Sequence, residues 1–154
     1  MWLLSVEWIS EASPARAAWT RLPASARDRP SDSLRDARVL VVEDEFIVAA
    51  LLEDRLVQLG CLVVGPASDI EEALELLASE RVDAAVLDVN IAGRMVYPVA
   101  DALVERSVPF LFATAYGREG VADRHAERTV LNKPYDDSAF ERALRATLLE
   151  RSRN

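Results

Sequence analysis

From residue 38 onward, short runs of consecutive apolar residues alternate with stretches in which apolar residues recur every three or four positions. Val39-Leu40-Val41-Val42, Leu62-Val63-Val64, Ala84-Ala85-Val86-Leu87, Phe110-Leu111-Phe112-Ala113 and Thr129-Val130-Leu131 are runs of strand length, the pattern of strands covered on both faces. Between them the spacing is helical: Val48, Leu51, Leu52, Leu56 and Leu59 form one stripe, with Gly60 placed as its stop. Ile70, Ala73, Leu74 and Leu77 form a second stripe behind a Ser68–Glu71 capping-box pattern, and Val96, Val99, Ala100, Leu103 and Val104 a third. Phe140, Ala143, Leu144 and Leu148 line a last helix that Asp137 can cap. Segment 117–128 is expected to hold a further helix, although it contains Gly120 and shows no clean stripe.

Five strand–helix units in about 115 residues predict an α/β domain. Parallel strands need crossover connections, so the sheet is expected to be parallel and doubly wound, with helices on both faces. In such sheets functional groups gather at the carboxyl ends of the strands.

Composition narrows the reading. The chain has 154 residues, 51% hydrophobic and 29% charged, with a formal net charge of −8; these are the proportions of a globular chain. The segment 1–36 holds all three tryptophans (Trp2, Trp8, Trp19) and equal numbers of Arg and acidic residues, so the whole −8 falls on 37–154. We expect 1–36 to be an N-terminal extension or linker and 37–154 to be the domain. The acidic balance argues against nucleic-acid and anionic-membrane partners, which demand clustered positive charge. The apolar start Met1–Ile9 is interrupted by Glu7 and is too short for a signal peptide or a membrane span, so a cytoplasmic location is expected. Cys61 is the only cysteine and is expected to be a buried small hydrophobe; His125, the only histidine, is expected at the surface. All but one of the 18 basic residues are arginine, and the exception is Lys133.

Polar residues follow the apolar runs directly. Strand one ends in Glu43-Asp44-Glu45, strand three in Asp88, strand four in Thr114 and strand five in Lys133-Pro134. Singly these are ordinary helix-start, turn or surface residues. Converging on one sheet edge, they are harder to dismiss. Clustered carboxylates repel unless a cation joins them, and a hard divalent ion such as Mg²⁺ suits oxygen ligands of this kind. A metal, an ammonium and a hydroxyl around a carboxylate nucleophile form a set fit for phosphoryl transfer to aspartate.

These residues, in this order, resemble a response-regulator receiver domain over roughly residues 37–150. The resemblance implies a CheY-like (flavodoxin-like) sheet of order 2-1-3-4-5. It also implies that Asp88 is the phosphoacceptor, that Thr114 senses the phosphoryl group and that Lys133 binds it. Mg²⁺ would be held by Asp44 directly, Glu43 through water, Asp88, and the backbone carbonyl of Asn90. The Lys133–Pro134 bond is usually cis in this family. Two departures stand out: no Met-Pro pair follows the phosphoacceptor, and Val130 replaces the aromatic switch residue three positions before the lysine. The run Pro109-Phe110-Leu111-Phe112-Ala113-Thr114-Ala115-Tyr116-Gly117 resembles the FATGUY group of single-domain receivers, with Ala115 in place of a glycine. That group lacks the aromatic switch and tends to work with histidine kinases of the HWE or a related class.

The expected function is therefore a stand-alone phosphoacceptor, monomeric or weakly dimeric. It would take a phosphoryl group from a sensor histidine kinase and signal by contact with that kinase or a phosphotransfer protein, not by catalysis of its own. Two other readings use the same residues. A pseudo-receiver binding module would never be phosphorylated. A haloacid-dehalogenase-type phosphatase would need an acid two residues after its nucleophile, where Asn90 stands.

Overall fold

The computed structural model describes residues 33–151. Its principal elements are β1 (Arg38–Val42), α1 (Phe46–Gln58), β2 (Leu62–Ala67), α2 (Ile70–Ser79), β3 (Ala84–Leu87), β4 (Asn90–Ile91), β5 (Arg94–Met95), α3 (Tyr97–Glu105), β6 (Phe110–Thr114), β7 (Thr129–Asn132) and α4 (Asp137–Arg151). Five strands form a parallel sheet of order β2-β1-β3-β6-β7, which is the expected 2-1-3-4-5 once the short hairpin β4–β5 is set aside. Side chains alternate between the two faces of a strand, and here both faces are covered. Leu40, Val42, Leu87, Phe110 and Phe112 pack under α2 and α3, while Val39, Val41, Val86, Leu111 and Ala113 pack under α1 and α4. Continuous apolar runs are what two-sided burial requires.

Helix ends explain where the expected boundaries shift. Gly60 (φ 82°) follows α1; its N–H donates to the Val57 carbonyl and the Cys61 N–H to that of Leu56, a Schellman closure. Leu51, expected on the buried stripe of α1, is half exposed, and Ala49, Leu52 and Leu56 carry the packing. At α2 the cap sits one residue later than the Ser68–Glu71 pattern. The Asp69 carboxylate accepts from the Glu72 N–H at 2.8 Å, and Glu72 reaches back to the Ser68 N–H. At α4 the cap shifts by one residue the other way: Asp136, not Asp137, accepts from the Ala139 N–H at 2.7 Å. The freed Asp137 carboxylate pairs with Arg55 of α1.

Between β6 and β7 the expected helix is absent. Segment 117–128 forms two single 3₁₀ turns, Arg118–Gly120 and Asp123–His125. Gly117 enters the segment at φ 65°, ψ −169°, a conformation essentially confined to glycine, and Val121 and Ala122 between the turns are extended (ψ 131° and 143°), so no helix runs through. His125 is not at the surface either. It is buried among Tyr97, Phe110 and Phe112. Cys61 is buried as expected, its thiol donating to the Leu34 carbonyl at 3.3 Å, and burial pushes the thiol pKa up to about 11. No helix among the described residues is long and apolar enough to cross a membrane. The tryptophans of the N-terminal segment lie outside the described residues.

Two tests follow from the packing. Leu34 falls in the stretch read as linker, yet it is fully buried against the α1–α4 face, and the Asp36 N–H bonds the Gly60 carbonyl. Leu34→Ala is expected to cost about 2–5 kcal/mol in urea unfolding, the range for a buried leucine; a linker leucine would cost almost nothing. At the amino-terminal edge of the sheet, Asp83 is buried. Burial opposes its charge, but the Arg38 N–H, Arg151 and Arg81 outweigh it and hold the carboxyl below its ordinary value. A folded-state pKa below the unfolded one adds stability above about pH 4. That increment is lost as pH falls through the folded value. The stability gap between wild type and Asp83→Asn, read by urea unfolding across pH, should therefore shrink on acidification below about 4.

Candidate functional site

The ladder of the sheet carries each polar strand-end residue to the same edge. The Glu43 N–H bonds the Ala67 carbonyl, the Asp88 N–H that of Val42, and the Lys133 N–H that of Thr114. Residues beyond the last apolar position of β1, β3 and β7 are thus fixed at one edge of the sheet. Glu43, Asp44 and Asp88 bring carboxylate oxygens within 4.8 Å of one another. The Lys133 ammonium bridges two of them, at 2.8 Å from Glu43 Oε2 and 3.1 Å from Asp88 Oδ2. The Lys133–Pro134 peptide is cis.

The three carboxylates differ in surroundings. Glu43 is buried, and desolvation pushes its pKa up against the opposing pull of Lys133 and the Glu45 N–H. Burial works against the Lys133 ammonium too. The Glu43 and Asp88 carboxylates outweigh it and hold lysine above its ordinary value, so it stays charged. Asp44 is exposed and receives the Ala92 N–H at 2.9 Å. One ammonium against three carboxylates leaves two net negative charges in the cluster, the charge of one divalent cation. Oxygen-only donors with a surplus of negative charge fit a hard ion such as Mg²⁺.

A hairpin closes one side of this cluster. β4 and β5 pair antiparallel across a tight turn at Ala92 and Gly93, both at positive φ (51° and 82°), the backbone signature of a two-residue hairpin turn. The Asn90 side chain accepts the Gly93 N–H at 2.9 Å and so stabilises the turn. An exposed ion pair from Arg94 to Glu71 ties the hairpin to α2. Neither the hairpin nor the Ala92 contact was legible in sequence: the group that meets Asp44 is a backbone N–H, and the element has two residues per strand.

Of the remaining candidates, Asn90 lines the cleft beside this cluster, while Thr114 ends the neighbouring strand and is not among the cleft's lining residues. Thr114 is fully buried at the end of β6, its hydroxyl accepting the Tyr116 N–H at 3.1 Å. The cleft, of ≈ 350 Å³, is lined by Asp44, Asp88, Asn90, Tyr116 and Lys133, among others. A larger cleft of ≈ 700 Å³ lies at the opposite edge of the sheet, around Arg38, Asp83 and Arg151, away from every residue singled out in the sequence. Apolar side chains near this edge face solvent: Phe46 and Ile47, which follow the cleft residue Glu45 at the start of α1, and Tyr116, which lines the cleft, are 86%, 73% and 64% exposed.

Comparison with known proteins shows which family the domain belongs to. The response regulator receiver domain family matches residues 39–145, most of the chain. The protein belongs to that family. Among solved structures, SdrG from Sphingomonas melonis Fr1 is 40% identical with a TM-score of 0.67, covering 74% of this chain and 97% of SdrG. The receiver domain of the PhyR response regulator from Erythrobacter litoralis is 26% identical with a TM-score of 0.69, covering 76% and 93%. The probable transcriptional regulator ycf27 of Guillardia theta is 37% identical over 118 residues, which is 72% of this chain and 45% of that protein. The chain thus spans about half the length of the curated relatives it matches.

The receiver's surplus of negative charge has a measurable consequence. Mg²⁺ should raise the thermal unfolding midpoint, because an ion bound only by the folded state adds about 2.7 kcal/mol at a hundred times its Kd. Asp44→Asn should remove most of that rise. A midpoint indifferent to millimolar Mg²⁺ would contradict the fit.

Proposed function

We propose that this receiver domain accepts a phosphoryl group on Asp88 from a phosphohistidine of a sensor histidine kinase or a phosphotransfer protein. The observation that carries the reading is the convergence of Glu43, Asp44 and Asp88 on one ammonium, Lys133, at the carboxyl edge of the sheet. An Asp88 carboxylate oxygen attacks phosphorus, the O–P bond forms as the N–P bond breaks, and the imidazole leaves with the bonding pair. Lys133 already sits against Asp88 and neutralises charge on the phosphoryl oxygens, while Thr114 donates its hydroxyl to one of them. Glu43, Asp44, Asp88 and the Asn90 backbone carbonyl would hold Mg²⁺, which when bound supplies the remaining charge neutralisation.

The apolar rim of Phe46, Ile47 and Tyr116 supports delivery by a protein, since a small-molecule donor has no use for exposed apolar surface beside the cleft. By its Pro109–Gly117 run the receiver is proposed to work with a kinase of the HWE or a related class, in the cytoplasm, as a monomer or weak dimer. Residues 37–154 are proposed as the receiver unit, with 33–36 packed onto it. The phosphatase reading gains nothing from the site: Asn90 lacks an acidic proton, and its side chain is spent on the Gly93 N–H.

A pseudo-receiver reading is favoured by one observation, Val130, which leaves β7 without an aromatic residue opposite Phe112. Phosphotransfer separates the two. Incubated with a phosphorylated kinase of the host, the wild type should acquire acid-stable, alkali-labile label, Asp88→Asn none, and Lys133→Arg about a hundredth of the wild-type rate or less. Equal labelling of Asp88→Asn would sink the assignment, and a wild type that is never labelled would favour the pseudo-receiver.

A further inference from the structure

The residues of segment 117–128 are held to α3 by a set of polar contacts that the phosphoryl chemistry does not use. Tyr97 and Asp101 lie one turn apart on α3 and so share a face. The Tyr97 hydroxyl donates to the Gly120 carbonyl and accepts the Ala122 N–H, both at 2.9 Å. Asp101 receives Arg124 through two bonds of 3.0 Å and His125 Nε2 at 2.9 Å. The His125 ring stacks on Tyr97 at 5.9 Å and meets Phe110 and Phe112 edge-on. A carboxylate only accepts, so Nε2 carries the hydrogen. The other ring nitrogen, Nδ1, is buried without a hydrogen-bond partner. An imidazole kept in this state is held by its surroundings, because a buried polar atom left unpaired costs stability.

This latch connects to the acidic cleft in three steps. The Thr114 hydroxyl accepts the Tyr116 N–H. Tyr116 lines the cleft and is packed so closely on Gly120 that a Cβ there would stand 2.6 Å from the Tyr116 Cβ. Gly120 in turn offers its carbonyl to Tyr97. The usual alternative route is missing, since β7 carries Val130 where an aromatic side chain would turn.

We propose that Tyr97 is a positioning residue that couples the acidic cleft to segment 117–128, re-seating that segment on α3 when Thr114 turns to a phosphoryl group. It rests on the receiver reading above. Recruitment of the Thr114 hydroxyl weakens its hold on the Tyr116 N–H, Tyr116 moves against Gly120, and the Tyr97 hydroxyl carries the displacement to Ala122 and the His125 ring. Packed elements of this kind adopt discrete arrangements and do not deform continuously, so a small shift at the cleft is enough to change the seating.

His125 is the only histidine, so its ring resonances report on the latch without assignment ambiguity. The probe is beryllofluoride with Mg²⁺, compared with Mg²⁺ alone, on the full chain. In the wild type the amides of Thr114 and Lys133 and the ring signals of His125 should all shift. In Tyr97→Phe, which keeps the ring and its packing, the Thr114 and Lys133 amides should still shift while the His125 response is lost. Asp101→Ala, at a half-exposed side chain, is the second variant and should uncouple His125 in the same way. A merely structural role for Tyr97 would change the resting His125 signals but leave their response to beryllofluoride intact, and that result overturns the proposal. So does a wild type whose His125 signals stay still while Thr114 and Lys133 respond. Silence at Thr114 and Lys133 themselves would instead overturn the receiver reading, and this inference with it.

Discussion

Lys133 holds its ammonium 2.8 Å from Glu43 and 3.1 Å from Asp88, and the organisation of the carboxyl edge depends on that contact. Glu43 is buried; an isolated carboxylate there would be driven to protonate, and desolvation does push it that way. The lysine opposes that push, and it also lies between residues brought together from β1, β3 and β7, so the charge balance can form only when those strands are in register. The site is therefore a product of the whole sheet, not of any local segment. A guanidinium would carry the same charge but spread it over a planar fork, and it could not occupy the same point between two carboxylates. In a chain whose other basic residues are all arginine, the one compact cation stands where compactness matters.

The sheet's burial on both faces explains why chemistry gathers there. Past Arg38, which opens β1, the apolar positions of β1, β3 and β6 point into one core or the other and leave no room for a charged side chain. Groups needed near one another sit at or just past the last apolar residue of each strand. Glu43 follows Val42, Asp88 follows Leu87, and Thr114 closes β6 fully buried. The opposite edge obeys the same rule with a different outcome: Asp83 precedes β3 and is saturated by the Arg38 N–H, Arg81 and Arg151. An acidic side chain already paired with two guanidiniums has little capacity left for a ligand, which distinguishes the larger cleft there from the acidic one.

These two edges also show which features a sequence reveals. The strand runs and the residues that end them were legible because two-sided burial writes an unbroken apolar run, and a polar residue directly after it marks the edge. Caps slipped by one residue at α2 and α4, where Ser68-Asp69 and Asp136-Asp137 offer adjacent capping side chains and only backbone geometry chooses between them. The hairpin β4–β5 and the Ala92 N–H on Asp44 leave no side-chain pattern to read. Leu34 reads as part of a polar linker because a single apolar residue has no period, and its burial depends on a cleft made by α1 and α4. His125 misleads for a related reason: a lone imidazole is usually exposed, and its aromatic enclosure is assembled from α3 and β6.

That enclosure bears on how a receiver with Val130 on β7 can respond at all. Val130 pairs with Phe112 in the sheet and packs half-buried against the α2–α3 face, too short to reach across the edge. The aromatic bulk lies instead on the neighbouring side, where Tyr97, Phe110, Phe112 and His125 surround the start of α3 and the second 3₁₀ turn. A side chain rotating on β7 would change one contact. A segment pinned by one hydroxyl at Gly120 and Ala122 and by one carboxylate at Arg124 and His125 moves only when those bonds rearrange together, a concerted change that favours two seatings over a continuum. Gly117 gives the segment the backbone freedom for it, and the absence of a regular helix between β6 and β7 removes the ladder of bonds that would resist it. On this physical ground, loss of the aromatic residue moves the switch from a side chain to a stretch of backbone.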